Sequence, residues 1–507
     1  MVEERNNQVA MMEDIYRLAE VVAVWLGPET EFTKEAFSYF ENLAGNHDSY
    51  RPTNDNVVDR DMAQSLILSK EILEQPWFTR MWTIQEVAMA SPKAVYLCRG
   101  GEMMRWETFM RAMESRKLDP KVGSLAHSAA QIFNRLRPLF ESARASSRRP
   151  GVVSPQALLR SFTPLREILN ILVEVRGKLA TDVRDKIFAL HGIFKAFNVH
   201  LPAPDYSKPA RQVFCETAKA VIKQDESIHV LYHVSSRTRM PHLPSWVPDW
   251  GDTDVLDSNP SFRIWSASHN SVHRSSHDSG DGDSLHTLGK AIGTISTRST
   301  AVSAEIDPDN NEIEVFQNWI RCCQRITGNY LTGDSMDEAF YKTLVQLPST
   351  EGLDVYIPKS YKEKVSYESY EKWTKVITHG MESSATTETE SRSGVFGLIC
   401  KSSAGTDHRS DTKAAPTLDG AEKIFNDIIR ERLCGKALFL TDSHHMGIAG
   451  DAIQEGDVVT LLSGLEMPII LRPKGVDYSV VTWAYIHGVM EGEEWPETDK
   501  LDAINLV

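Results

Sequence analysis

Two short segments carry side chains whose types and spacing could support chemistry. The first runs from Asp442 to His445 and holds a carboxylate, a hydroxyl and two imidazoles. Such groups can bind a metal ion, but metal sites generally draw ligands from several elements, so we favour a solvated turn and expect no metal. The second runs from Pro76 to Ala90 and combines aromatic rings with Arg80 and Glu86. This combination is compatible with a nucleotide site or with helix packing.

Composition and missing motifs narrow the function classes. The sequence contains no GxxxxGK[ST], strand-GxGxxG-helix, HExxH or GxSxG motif. Six scattered cysteines without a CxxC pair predict reduced thiols and a cytoplasmic protein. The formal charge of −15 argues against nucleic acid as the main partner. No run of 18 apolar residues occurs, so no membrane span is expected.

Residues 1–115 alternate helical and strand patterns, as is typical of a parallel α/β sheet. Helices are predicted over 4–22, 60–74 and 77–90, and the apolar runs Val21–Leu26 and Lys93–Cys98 are predicted to pair as parallel strands. Because the chain opens on a helix, the front of the sheet is expected to be absent. One sheet edge should then expose backbone groups or apolar side chains.

The rest of the chain is predicted to form three further parts. Residues 116–250 are expected to be helical, and 251–430 form an insert region with flexible polar segments at 266–284 and 380–394. Residues 431–495 hold short apolar runs separated by glycines, which predict a small antiparallel β module with a tight hairpin at Ser463–Met467. The predicted fold class is α/β plus β.

Five blocks of residues share the order and character of one protein family. They are Glu4–Ala19 with Val24–Gly27, Pro76–Ala90, Ala180–Leu190, Pro204–Ser207 with Leu243–Trp250, and Gly456–Glu493. In this order they resemble the heterokaryon-incompatibility (HET) family of filamentous fungi. The resemblance implies a role in vegetative incompatibility, in which non-self recognition triggers programmed cell death. It also implies association with other proteins, including self-association through the HET lobe. Two strands that usually open a HET domain have no counterpart here, so the HET lobe is expected to be truncated.

A further similarity, between the HET fold and the TIR domain, implies a role for Glu86. TIR enzymes that cleave NAD carry a catalytic glutamate at the start of a helix, and Trp82-x-x-x-Glu86 resembles that arrangement with one extra residue. Glu86 is therefore the candidate catalytic residue, with Arg80 and Trp82 as candidate contacts to NAD as a substrate. No cofactor is expected. Two alternatives stay open: Glu86 pairs with Arg80 in a structural role, or the chain is an inactive paralogue.

Overall fold

The computed structural model describes residues 2–45, 55–114, 133, 167–196, 199–234, 239–253, 265–273, 283–303, 312–326, 328–346, 359–379, 381, 418, 420–497 and 500–507. Its internal contacts form two compact units. The first comprises residues 1–226, 240–243 and 249–255, and the second comprises 227–239, 244–248 and 256–507. The contacts thus follow two units where the sequence suggested four parts. No helix in the described ranges is long and apolar enough to cross a membrane.

A three-stranded sheet organises the first unit. Its strands lie in the order β1 (Val22–Trp25), β2 (Val95–Arg99) and β3 (Glu102–Arg105). The parallel pairing of β1 with β2 confirms the sequence-based prediction. Strand β3 was not predicted, and it runs antiparallel to β2, so the expectation of a parallel sheet is wrong for this strand. The turn between β2 and β3 requires a glycine, because Gly100 has a φ of +54° and an added Cβ would lie 2.3 Å from Cβ of Glu29.

Helices of the first unit pack around an aromatic core. Phe40 contacts Phe109, which also contacts Phe78, with ring centroids 5.6 and 5.7 Å apart. The single helix predicted over 77–90 is wrong, because a 3₁₀ turn at Pro76–Thr79 precedes a short helix. The helix at 33–45 was not predicted from the sequence. The helices are α1 (Val2–Leu18), α2 (Thr33–Gly45), α3 (Asp55–Leu73), α4 (Thr83–Ala88) and α5 (Trp106–Met113).

The predicted helical middle is present in the described residues of the first unit. Residues 116–132 and 134–166, which belong to the same prediction, lie outside the described residues. The buried side chains Phe188, Phe194 and Phe214 come from three of these helices. The helices are α6 (Glu167–Glu174), α7 (Asp185–Phe188), α8 (His191–Ala196) and α9 (Ala210–Asp225).

The second unit contains an antiparallel sheet that closes on itself. Following hydrogen-bonded neighbours from β4 leads through β5, β6, β9, β8 and β7 back to β4, and β10 pairs with both β4 and β9. The antiparallel module is therefore confirmed. The sequence missed β4 and β10, which lie outside 431–495. The strands are β4 (Leu285–Arg298), β5 (Lys436–Thr441), β6 (Met446–Gly450), β7 (Val458–Leu462), β8 (Ile469–Lys474), β9 (Asp477–Ile486) and β10 (Asp502–Leu506).

The tight hairpin lies elsewhere than predicted. Strands β7 and β8 do pair in antiparallel fashion, but residues 463–468 form a longer connection between them. The tight turn joins β8 to β9, where Lys474 pairs with Asp477 across Gly475 and Val476. Gly475 has a φ of +66°, a conformation that glycine adopts without a steric penalty.

Helices cover part of the closed sheet in the second unit, and their core includes Trp319, Tyr370 and Trp373. Residues 266–268 of a segment predicted as flexible instead join the core: Ala267 is buried, and its backbone N–H donates to the carbonyl of Glu466. Residues 274–282, 380 and 382–394 of the predicted flexible segments lie outside the described residues. The helices are α10 (Glu312–Cys323), α11 (Met336–Val345), α12 (Lys359–Lys364), α13 (Tyr367–Ile377) and α14 (Ala421–Leu433).

Candidate functional site

The structure places the candidate catalytic residue Glu86 on α4, half-buried beside an aromatic ring. The indole N–H of Trp77 donates to Oε2 of Glu86 at 3.0 Å. Burial raises the pKa of Tyr16, the charge of Glu86 raises it further, and Arg80 opposes the shift, so these three side chains lie near one another. Arg80 is exposed. The Trp77 bond makes Glu86 a packing partner of the preceding 3₁₀ turn.

Trp82 forms a hydrogen bond with a buried carboxylate. Its indole N–H donates to Oδ2 of Asp185 at 3.1 Å, and the hydroxyl of Tyr206 donates to Oδ1 of the same residue. Asp185 is 5% exposed, and burial raises the pKa of its carboxyl although both hydrogen bonds oppose the shift. Burial, followed by the contact with Asp185, raises the pKa of the Tyr206 phenol. The candidate NAD contact Trp82 is thus committed to an internal hydrogen bond.

Two arginines complete the same cluster. The guanidinium of Arg5 lies 3.6 Å from the ring centroid of Tyr206 and pairs with Asp182 at 3.2 Å and Asp185 at 3.5 Å. Arg184 forms a two-pronged pair with Asp182 at 2.9 and 2.8 Å. Its remaining amino group donates to the carbonyls of Tyr206 and Lys208 at 2.9 and 2.8 Å. We call these six residues the junction network: Arg5, Trp82, Asp182, Arg184, Asp185 and Tyr206.

An open depression of about 590 Å³ borders the junction network. Its lining includes both arginines of the network and the start of α9, at Pro209 and Ala210. Positive charge at a helix start can attract anions. Here, however, Asp182 and two backbone carbonyls engage the Arg184 guanidinium, and two carboxylates engage Arg5. The arrangement therefore holds segments together, and its charges are balanced internally.

Two buried lysines also connect segments of the first unit through hydrogen bonds to backbone carbonyls. Nζ of Lys178 donates to the carbonyl of Phe78 at 2.7 Å, and burial lowers the pKa of Lys178 to about 8. Nζ of Lys186 donates to the carbonyls of Arg176, at 2.7 Å, and Lys178. Ammonium groups bonded to backbone carbonyls in this way fix loop geometry, since a buried cation without such partners is costly. These two lysines are structural groups that the sequence did not flag.

One face of the three-stranded sheet lies open in the described part of the chain. Side chains alternate along each strand, and the face opposite the core carries largely apolar groups. Trp25 is 58% exposed and Met103 is 61% exposed. In the sheet register, Trp25 lies beside Cys98 and Cys98 beside Met103. We call this surface the open sheet face: Ala23, Trp25, Tyr96, Cys98, Met103 and Arg105.

The His-rich segment of the second unit is a hairpin loop, as the sequence favoured. Asp442 Oδ1 accepts the backbone N–H of Thr294 at 2.8 Å, and the Ser443 hydroxyl lies 3.0 Å from Nδ1 of His445. Burial lowers the pKa of His445, and Glu494 opposes the shift. No group of three or more His, Cys, Asp or Glu that could hold a metal ion occurs among the described residues.

Residues of the C-terminal block Gly456–Glu493 also form contacts within the second unit. Asp457, which is buried, takes two bonds from Arg472 at 2.8 and 2.9 Å. His487 follows β9, and its Nε2 lies 2.7 Å from Oδ2 of Asp334. Burial raises the pKa of Asp334, but hydrogen bonds from Lys342, His487 and Thr332 outweigh that and hold it at about 2.

Known proteins match both ends of the chain. The family model described as heterokaryon incompatibility protein (HET) matches residues 1–86, and that of the Het-6 β-barrel domain matches residues 407–505. The chain is 26% identical over 303 residues to heterokaryon incompatibility protein 6, OR allele, of Neurospora crassa. That alignment covers 49% of this chain and 42% of the relative, so the chain spans less than half of the relative's length. No solved structure matches.

The positions of the two matches agree with the fold. The HET match ends at Glu86, inside α4, and the Het-6 barrel match contains β5 to β9 and most of β10. Strand β4, which closes the sheet, lies outside the matched range. Together with the N. crassa relative, these two matches show that both ends of the chain are similar to heterokaryon incompatibility proteins.

Proposed function

We propose that this chain acts in vegetative incompatibility as a cytoplasmic protein that links non-self recognition to programmed cell death by associating with other proteins. The similarity of both ends of the chain to heterokaryon incompatibility proteins supports the biological role, and the open sheet face supports the mode of action. Large apolar side chains such as Trp25 and Met103 rarely cluster on a protein surface without a partner. The open sheet face is the single observation that favours association over catalysis.

The proposal includes a TIR-like fold for the HET lobe. A parallel strand pair flanked by helices supports it, whereas the antiparallel strand β3 is an addition to that plan. NAD cleavage by Glu86, with Arg80 and Trp82 as contacts, stays a prediction. The hydrogen bonds of Glu86 to Trp77 and of Trp82 to Asp185 weigh against it.

Expression in a filamentous fungus tests the proposed role. The chain would be placed under an inducible promoter, and hyphal viability would be scored by exclusion of a vital dye. We expect induction to kill hyphal compartments, and more strongly in cells formed by fusion with an incompatible strain. A variant with Trp25→Asp and Met103→Asp should accumulate to the same level and kill less, because both side chains are exposed. Full viability at high expression in every strain background would overturn the proposal.

A further inference from the structure

Residues 265–273 of the second unit, which we call the strap, lie against the connection between β7 and β8. The backbone N–H of Ala267 donates to the carbonyl of Glu466 at 2.9 Å. Toward the other end of the strap, the Ser463 hydroxyl donates to the carbonyl of Val272 at 2.7 Å. Hydrogen bonds therefore fasten both halves of the strap to the same connection.

The last residue of the strap, His273, has a ring nitrogen that cannot easily carry a proton. Its Nδ1 is buried, and no hydrogen-bond partner for that atom occurs among the described residues. Burial lowers the pKa of His273, a hydrogen bond with the backbone of Ser463 opposes the shift, and nearby His229 lowers the pKa further. A backbone group that raises a histidine pKa accepts from the ring, so the proton of the neutral ring lies on Nε2. Protonation would place a second N–H at Nδ1, where no acceptor meets it.

The elements packed around the strap add to the cost of charging His273. His229 lies in a 3₁₀ turn at His229–His233, and its Nε2 lies 2.8 Å from Oε2 of Glu466. A positive charge on His229, paired with Glu466, would repel a second positive charge on His273. The titratable groups on these elements are His229, Tyr232 and His233 on the turn, Glu466 on the connection, His269 on the strap, and Glu491 and Glu493 beside Gly492, which lies close to His269.

We infer that the strap detaches from the β7–β8 connection in mild acid, when His273 takes up a proton. The inference goes beyond the proposed function, because it concerns a conformational change within the second unit. A histidine whose folded-state pKa lies below its usual value binds a proton more readily once it is released. The strap is therefore fully attached above about pH 6.5, and its attachment weakens as the pH falls below that value. Release exposes Trp265 and Ala267, which are 7% and 1% exposed, and so presents an apolar surface that is hidden at neutral pH.

Hydrogen exchange of the full chain tests this detachment. Measurements between about pH 7.5 and pH 5.5 stay above the usual pKa of carboxylates, so histidines are the side chains that titrate. Rates are corrected for the intrinsic exchange rate at each pH. Below pH 6.5, the protection of the Ala267 amide should then fall by up to about tenfold per pH unit, because opening takes up one proton. Amides in the pairing of β5 with β6 should keep their protection.

Two histidine variants of the strap separate the proposed detachment from a general effect of acid. His273→Asn removes the titrating ring and should keep the Ala267 amide protected throughout this pH range. His269→Asn is the matched control, because His269 is exposed and has a φ of +49°, which asparagine tolerates. This control should lose protection in acid as the native chain does.

Tryptophan fluorescence provides a second readout that leaves His273 in place. The ring of Trp265 lies 5.5 Å from that of Tyr485 on β9, and Trp265→Phe keeps an aromatic ring there. The emission that the native chain has and Trp265→Phe lacks should become open to quenching by acrylamide only below pH 6.5. Protection of Ala267 that does not change with pH in the native chain would overturn the inference, as would emission of Trp265 that stays shielded in acid. An equal loss of protection in the native chain and in His273→Asn would also overturn it, because another group would then drive the change.

Discussion

Removing one hydroxyl from the junction network should destabilise the first unit measurably. Tyr206→Phe keeps the ring that lies against Arg5 and Phe188 but deletes the hydroxyl that donates to Asp185. Asp185 is 5% exposed, so water cannot readily replace the lost donor. A hydrogen bond to a charged group contributes about 1.5–3 kcal/mol. Since the buried ring is retained, we expect a loss of about 2 kcal/mol in the free energy of opening this unit.

Native-state hydrogen exchange suits this measurement because the chain has two units and global unfolding need not be two-state. A loss of about 2 kcal/mol corresponds to roughly thirtyfold faster exchange at the amides of α7 and α9. The control is Tyr96→Phe, on β2 of the same unit. Tyr96 is half-buried, and no hydrogen bond of its hydroxyl to a described residue is seen, so this change should have little effect. Equal exchange rates in the two variants would refute the reasoning.

The pH dependence of Tyr206→Phe provides an internal check. The folded-state pKa of Asp185 is already raised by burial, and the bond from Tyr206 opposes that shift. Deleting the bond should raise the pKa further. A carboxyl whose folded-state pKa is raised favours folding when protonated and loses that contribution as the pH rises through the folded-state value. The penalty of Tyr206→Phe should therefore be largest at neutral pH and shrink in acid.

Three further predictions concern single contacts. Glu86→Gln should lower the stability of the first unit by about 1 kcal/mol, because an amide is a weaker acceptor for the Trp77 indole than a carboxylate. Neither the native chain nor this variant should hydrolyse NAD. NAD hydrolysis by the native chain that the variant lacks would show that Glu86 is catalytic. Asp334→Asn should remove stability that the native chain keeps above pH 3.8 and loses as the pH falls to about 2, which acid unfolding followed by circular dichroism would detect. In Arg472→Lys, the lysine cannot form the two-pronged bond to Asp457. The free energy of unfolding of the second unit, measured in urea, should therefore fall by about 1.5 kcal/mol or more. An unchanged free energy of unfolding would mean that this ion pair does not stabilise the unit.

Local sequence patterns correctly predicted the strands whose positions depend mainly on the burial of their apolar side chains. The run Val21–Leu26 consists of apolar, mostly β-branched residues, which suit a strand covered on one side, and its pairing with β2 was predicted correctly. The same holds for the strands after residue 434, where glycines mark the turns. For these strands, the apolar runs and the glycines that bound them carried the information.

Elements that depend on contacts between residues far apart in the chain were not predicted correctly from the sequence. The helix predicted over 77–90 breaks because Arg80 forms a bridge to Leu179, and the N–H of Met81 donates to the Leu179 carbonyl at 2.9 Å. Strand β4 was missed because its glycines weaken the strand pattern. At Gly289 an added Cβ would lie 2.5 Å from the carbonyl oxygen of Leu461, so the close approach of β7 requires a residue that reads locally as a turn.

The sequence could not separate groups that hold the fold from groups that meet a partner, because both uses favour aromatic and charged residues. The structure separates them by where their polar atoms point. Trp82 and Tyr206 donate inward to Asp185, which comes from another part of the chain, so variants there should lose folding and association together. Trp25 and Ala23 are exposed, so variants there should lose association while exchange in α7 and α9 stays unchanged. A charged residue at position 23 that abolished both properties equally would mean that the open sheet face is covered within the chain rather than by a partner.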